Sequence, residues 1–214
     1  NSTVNTLPVA PPTYSTDATS PFYLMVKQVY DASLTLSDDQ KAMAIFWRDV
    51  PGVTSPGHWL SIVQQVMKKV ETQLDKAALT YALSGAAIND ALITCFKAKY
   101  HFNLLRPITF IREVKGYGNW NTFIGTPAHP EYPSAHSSLS AAAADVLTEL
   151  FGKPNSFTDH TYDYMGLAPR TYASYTGIAE EAGMSRLYAG IHYLPSIQAG
   201  LVQGRKVTSN IFSK

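Results

Sequence analysis

From Ala77 to about Leu105 the chain reads as one long helix, rich in Ala and Leu and free of proline until Pro107. A helix of that length takes most of its stability from packing, so it needs companions. Ser84, Gly85, Ala86 and Ala87 in its middle predict close approach of neighbouring helices. The rest of the chain supplies such neighbours. Ser37 and Gln40 form a capping box before Lys41–Trp47. His58–Thr72 is amphipathic, with Trp59, Ile62, Val63, Val66 and Met67 on one side. Further helical patterns cover Pro107–Val114, Ser134–Phe151, Tyr172–Tyr188 and Pro195–Phe212, the last two separated by a break near Gly190. Breakers mark loops over residues 51–57, 116–133 and 152–169. No alternating strand pattern of useful length occurs. The expected architecture is all-α, a single helical bundle over residues 21–214, preceded by a flexible Ser/Thr/Pro-rich tail over residues 1–20.

Composition narrows the function classes. With 17 Lys and Arg against 16 Asp and Glu, the net charge is +1, and no basic stripe points to nucleic acid. Cys95 is the single cysteine, which rules out an internal disulfide and reads as a buried small side chain. No run of about 18 apolar residues marks a membrane span. Asn1-Ser2-Thr3 matches a glycosylation sequon. No signal peptide is visible, and the expected location is secreted or periplasmic.

Against this near-neutral background three short segments concentrate cations and histidines. The first runs from Lys99 to Arg106-Pro107; seven residues are almost two helical turns, so Lys99 and Arg106 share a face. The second is Pro133-Ser134-Ala135-His136, where a loop enters a helix and first-turn N–H groups favour an anion. Ser134 also suits the N-cap position. The third is Ser185-Arg186 with His192, six residues beyond Arg186, which only a turn at Gly190 brings onto one site. Together they read as a pocket for a tetrahedral oxyanion. Lys99, Arg106 and Arg186 supply charge, Ser134 a hydroxyl, and His136 and His192 acid–base or nucleophilic groups. Asp49 and His129 are secondary candidates, and Asp90 reads as a structural hydrogen-bonding group.

These segments resemble the superfamily of vanadium-dependent haloperoxidases and type 2 phosphatidic acid phosphatases. Its pattern is Lys-x6-Arg-Pro, Pro-Ser-Gly-His, then Ser-Arg-x5-His-x3-Asp. Lys99–Pro107 fits the first element, and Ser185, Arg186 and His192 fit the third. The similarity extends through Asp90–Arg112 and Thr126–His136 and looks most like the soluble bacterial haloperoxidases. The resemblance implies vanadate as cofactor, with phosphate able to occupy the same place. His192 would be its axial ligand, or the nucleophile toward phosphate. Lys99, Arg106, Arg186, Ser134 and the Ala135 N–H would hold the equatorial oxygens, Lys99 would polarise bound peroxide, and His136 would be the acid–base group. Asp49 resembles an acid that pairs with the last arginine, and His129 resembles the bromide-oxidising members. Two positions depart from the pattern: Ala135 stands for glycine, and Ser196 stands for the final aspartate, the acid that orients the histidine in the phosphatases. The implied reaction is oxidation of bromide or iodide by hydrogen peroxide. The alternatives are a soluble acid phosphatase on phosphomonoesters and a non-catalytic phosphate-binding relative. The family's greater length adds two expectations, a missing N-terminal half or a homo-oligomer.

Overall fold

The structure, a computed structural model, describes residues 2–50 and 52–213. Asn1 of the sequon and Pro51 of the expected loop lie outside the described residues. The helices are α1 (Pro21–Leu34), α2 (Asp38–Phe46), α3 (Ser55–Lys69), α4 (Leu74–Phe102), α5 (Pro107–Glu113), α6 (Ala135–Phe151), α7 (Tyr175–Tyr188) and α8 (Leu194–Phe212). Between α6 and α7 lies a two-stranded antiparallel hairpin, β1 (Phe157–Asp159) and β2 (Arg170–Tyr172).

Most elements follow from local chemistry. The Ser37–Gln40 capping box is fully formed at the start of α2. α3 starts three residues before the expected His58, because Pro56 falls in the first turn, where its missing N–H costs nothing. The α4–α5 break comes at Asn103, which adopts the left-handed conformation and closes α4 on the Lys99 carbonyl. The hairpin fills a stretch that the sequence reads as loop; three-residue strands are too short to show alternation.

α6 is the central helix and packs on α4, α7 and α8. Its tightest neighbour is α8, through Gly200 and Gly204 rather than through the small residues of α4. A Cβ at Gly204 would fall 2.0 Å from the Ser138 carbonyl oxygen, and one at Gly200 would fall 2.5 Å from that of Ser134. Gly85, by contrast, is exposed and would meet nothing, so the expected close packing there holds only for buried Ser84 and Ala87. The glycine contacts draw the start of α8 onto the start of α6, which places the site.

Residues 74–113 are long and apolar enough, by length and composition, to cross a membrane. α4 nevertheless lies against α6 and α8 and buries Lys99, as a core helix of the bundle does. The expected tail over residues 2–20 forms no helix, yet it is strapped to the bundle. Gln203 donates to the Thr6 carbonyl, Tyr132 to that of Val9, and Ser2 to the Asp90 carboxylate.

Candidate active site

Three element ends meet at one cavity of about 510 Å³. The first is the start of α6. Ser134 is its N-cap, accepting from the Ser137 N–H at 3.3 Å, so the capping reading holds. The N–H groups of Ala135 and His136 have no protein acceptor among the described residues, as expected in a first turn. The second end is the turn between α7 and α8. There the N–H of Gly190 bonds the Leu187 carbonyl and that of Ile191 the Arg186 carbonyl, with Gly190 at φ +79°. This Schellman turn requires a left-handed residue, and it reverses the chain so that Arg186 and His192 both line the cavity. The third is the end of α4 with the start of α5, which brings in Lys99 and Arg106.

Lys99 and Arg106 stand behind the cavity wall. Lys99 Nζ donates to the carbonyls of Pro130 and Glu131, each at 2.9 Å. Arg106 donates to the carbonyls of His129 and Ile191, and its guanidinium lies 3.3 Å from His192 Nε2. Arg186 is buried; its Nε reaches Ser185 Oγ and its terminal nitrogen the Ala44 carbonyl. Burial lowers the pKa of all three cations, that of Arg186 to about 10.

The sequence reading misses the residue that organises His192. Glu131 is fully buried, and its Oε1 lies 2.7 Å from His192 Nδ1 and 2.9 Å from the Tyr193 N–H. Ser196, which stands where the family pattern has aspartate, donates to Glu131 Oε2 at 2.5 Å. The orienting acid is therefore present, supplied from the loop before α6 and not from α8. Arg106 can only donate, so Nε2, 3.3 Å from its guanidinium, is an acceptor and the His192 proton sits on Nδ1, toward Glu131. Burial drives the Glu131 pKa upward, while the Ser196 and Tyr193 hydrogen bonds and the Lys99 and Arg106 charges oppose it. Burial, followed by the Arg106 and Lys99 charges, holds His192 neutral, well below the usual imidazole range. A sequence signal did exist: Glu131 is the one carboxylate within the Thr126–His136 segment. Its partner is 61 residues away, beyond the reach of spacing arguments.

His136 lines the same cavity, its ring bonded to Ser55 and to the Trp47 carbonyl. Burial and the Arg186 charge push its pKa down to about 3. Asp49 makes no salt bridge within 4.0 Å of Arg186, but its charge opposes the lowering of the Arg186 pKa; its Oδ1 accepts from Ser55, and its Oδ2 lies 4.0 Å from His136 Nε2. His129 lines the cavity mouth against Phe96 and accepts from Arg106 at 3.2 Å. Asp90 and Cys95 stay out of the site: Asp90 accepts from Ser2, and Cys95 is buried against the Pro133 carbonyl.

The family described as VCPO second helical-bundle domain matches residues 79–214. The chain belongs to the vanadium haloperoxidase superfamily. It is similar to the structure titled as the first bacterial vanadium dependent iodoperoxidase, with 36% identity and a TM-score of 0.92 over 99% of this chain and 53% of that one. Holo and apo structures titled as a bacterial vanadium-dependent chloroperoxidase share the fold, at 21% and 19% identity with TM-scores of 0.72 and 0.69. They cover 89% of this haloperoxidase-family chain and 46% and 48% of theirs. The chain therefore spans about half the length of these relatives. No curated protein matches it.

The haloperoxidase cradle suits a tetrahedral oxyanion on this chain's own terms. Arg186 lines the site and Lys99 and Arg106 stand behind its wall against one buried carboxylate, two amide N–H groups lack protein acceptors among the described residues, and His192 Nε2 carries a lone pair that faces Arg106. The Ala135 side chain adds a methyl to the wall but leaves its N–H available.

Proposed function

We propose that the chain is the catalytic bundle of a vanadium-dependent haloperoxidase that oxidises iodide or bromide with hydrogen peroxide. One observation carries this reading: His192 lines the cavity beside Arg186 and is held by Glu131 as a neutral Nδ1–H ring, with the Arg106 guanidinium 3.3 Å from Nε2. His192 Nε2 would ligate vanadate. Arg186, the Ala135 N–H and, across the wall, Lys99 and Arg106 would balance the charge of its oxygens. Bound vanadate supplies the Lewis acidity that activates peroxide. Beside it, His136 takes and returns a proton. The 36% identical neighbour is titled as an iodoperoxidase, and this favours iodide among the halides.

Loading the full chain with vanadate and measuring iodide and bromide oxidation tests the reading. We expect activity that His192→Ala reduces to background. Failure to oxidise either halide would end the proposal.

A second reading has one specific observation in its favour. The Glu131–His192 pair supplies the acid that a phosphatase nucleophile needs, so hydrolysis of phosphomonoesters at His192 has its machinery in place. Turnover of an aryl phosphate that vanadate inhibits, with no halide oxidation, would select it.

A further inference from the structure

His136 is held at one ring nitrogen only. Its Nε2 lies 2.7 Å from Ser55 Oγ and 3.0 Å from the Trp47 carbonyl oxygen. A carbonyl only accepts, and the single hydrogen of the Ser55 hydroxyl is committed to Asp49 Oδ1 at 2.8 Å. Both neighbours of Nε2 are therefore acceptors, and Nε2 must carry the proton. Nδ1 has no hydrogen bond among the described residues, and the ring lines the cavity, so Nδ1 is the atom left for a ligand.

The support behind this arrangement is built in. Asp49 Oδ1 also accepts the Ser55 N–H at 2.6 Å, capping α3 where Thr54 makes no side-chain cap. The paired backbones of Val50 and Val53 close the turn between them. Trp47 is fixed from two sides: its indole N–H donates to Glu181 at 3.0 Å, and its ring stacks 4.4 Å from His58, which is itself bonded to buried Asp159. The carbonyl that faces His136 is thus rigidly placed.

We infer that Ser55 is the positioning residue for His136: with Asp49 and the Trp47 carbonyl it holds the ring as the Nε2–H tautomer and supports the imidazolium formed when Nδ1 takes a proton. The inference rests on the haloperoxidase reading for its chemistry and on the hydrogen bonds for its geometry. When peroxide loses a proton, its O–H bond breaks and an N–H bond forms at Nδ1. The ring becomes a cation, and the Asp49 charge, transmitted through Ser55, faces it. The same proton, returned from Nδ1 to a departing hydroxyl, completes a water molecule and restores the neutral ring. No proton passes to Ser55 or Asp49 in either direction.

The test uses the full chain labelled with ¹⁵N, with two-bond ¹H–¹⁵N spectra reading the ring tautomers and His136→Gln assigning the signal. We expect wild-type His136 to be Nε2–H, Ser55→Ala to move it toward the Nδ1–H form, and Ser55→Thr to restore it. In parallel, kcat for iodide oxidation falls about tenfold in Ser55→Ala with KM for iodide unmoved, as for loss of a residue supporting a reacting group, and recovers in Ser55→Thr. A wild-type Nδ1–H tautomer, or a Ser55→Ala spectrum identical to wild type, would overturn the inference. A wild-type protein that oxidises no halide would overturn the haloperoxidase reading instead, while the spectra still decide the role of Ser55.

Discussion

His192 and His136 line one cavity, one from the α7–α8 turn and the other from the first turn of α6, and they are held in different ways. His192 is bonded directly, through Nδ1, to a carboxylate with no exposure. His136 is bonded through Nε2 to a hydroxyl that leans on Asp49, whose side chain is 54% exposed. One ring keeps its lone pair at Nε2, facing Arg106, and the other keeps it at Nδ1, which has no hydrogen bond among the described residues. A direct buried carboxylate fixes both a tautomer and an orientation and raises the basicity of the exposed nitrogen, which suits a ligand or nucleophile. A serine-bridged, partly solvated carboxylate fixes the tautomer with a weaker electrostatic hold, which suits a group that must release its proton again. The difference assigns the two histidines distinct tasks even though both are neutral.

The sharpest way to break this contrast is to neutralise the buried acid. Glu131→Gln keeps the shape but replaces one acceptor oxygen with a donor, so Ser196, Tyr193 or His192 loses its partner. The buried Lys99 and Arg106 also lose their nearest counter-charge. We expect activity to fall about 100-fold, the upper end for partners that orient a metal-binding histidine, together with weaker vanadate affinity. Equilibrium dialysis of vanadate against the variant checks the affinity independently of turnover. Affinity and rate equal to wild type would remove Glu131 from the site.

Asp49→Asn is the matched change on the other wall and should cost less. Asparagine still accepts from Ser55, so the tautomer survives and only the charge is lost. The expected fall in kcat is about tenfold, at the lower end of such effects, with vanadate affinity unchanged. An effect as large as that of Glu131→Gln would make the two carboxylates equivalent and dissolve the contrast.

Much of this site was legible in the sequence, and the part that was not has a physical cause. Ser134 announces itself by its N-cap position and Gly190 by the break it must make between Arg186 and His192; Lys99 and Arg106 stand out as cations among apolar neighbours, although α4 ends at Phe102 and Arg106 is the N-cap of α5, so helical spacing is not what brings them together. Each of those signals is local. The Glu131–His192 and Ser55–His136 contacts join residues 61 and 81 apart, and nothing in a periodicity registers them. Ser196 shows the cost: read along the chain it marks a missing acid, whereas in the fold it donates to the acid that replaces it. The bundle was readable for the same reason as the cations, since capping boxes, prolines and apolar periodicity are local. The crossing of α6 and α8 at Gly200 and Gly204 was not, because it depends on what each glycine faces.

The smallest expected effect concerns stability, and it separates the two histidines from Glu131 by sign. An unfolded histidine takes a proton near pH 6.5. Folded His136 stays neutral until about pH 3. Between those values the unfolded chain binds the proton and the folded one does not, so stability declines as pH falls. His192 acts in the same direction. Glu131 opposes both: its raised carboxyl takes up a proton in the folded protein before the unfolded one does, which adds stability as pH falls toward 4.5. Urea midpoints at pH 7 and pH 5 therefore report a sum of opposed terms, and a variant isolates one of them. His136→Gln cannot titrate, so its midpoint should drop less between pH 7 and pH 5 than that of wild type. Glu131→Gln removes the compensating term, so its midpoint should drop more. Equal drops in all three proteins would mean that neither ring is held neutral by the fold, and the distinction between a buried and a solvated anchor would lose its energetic basis.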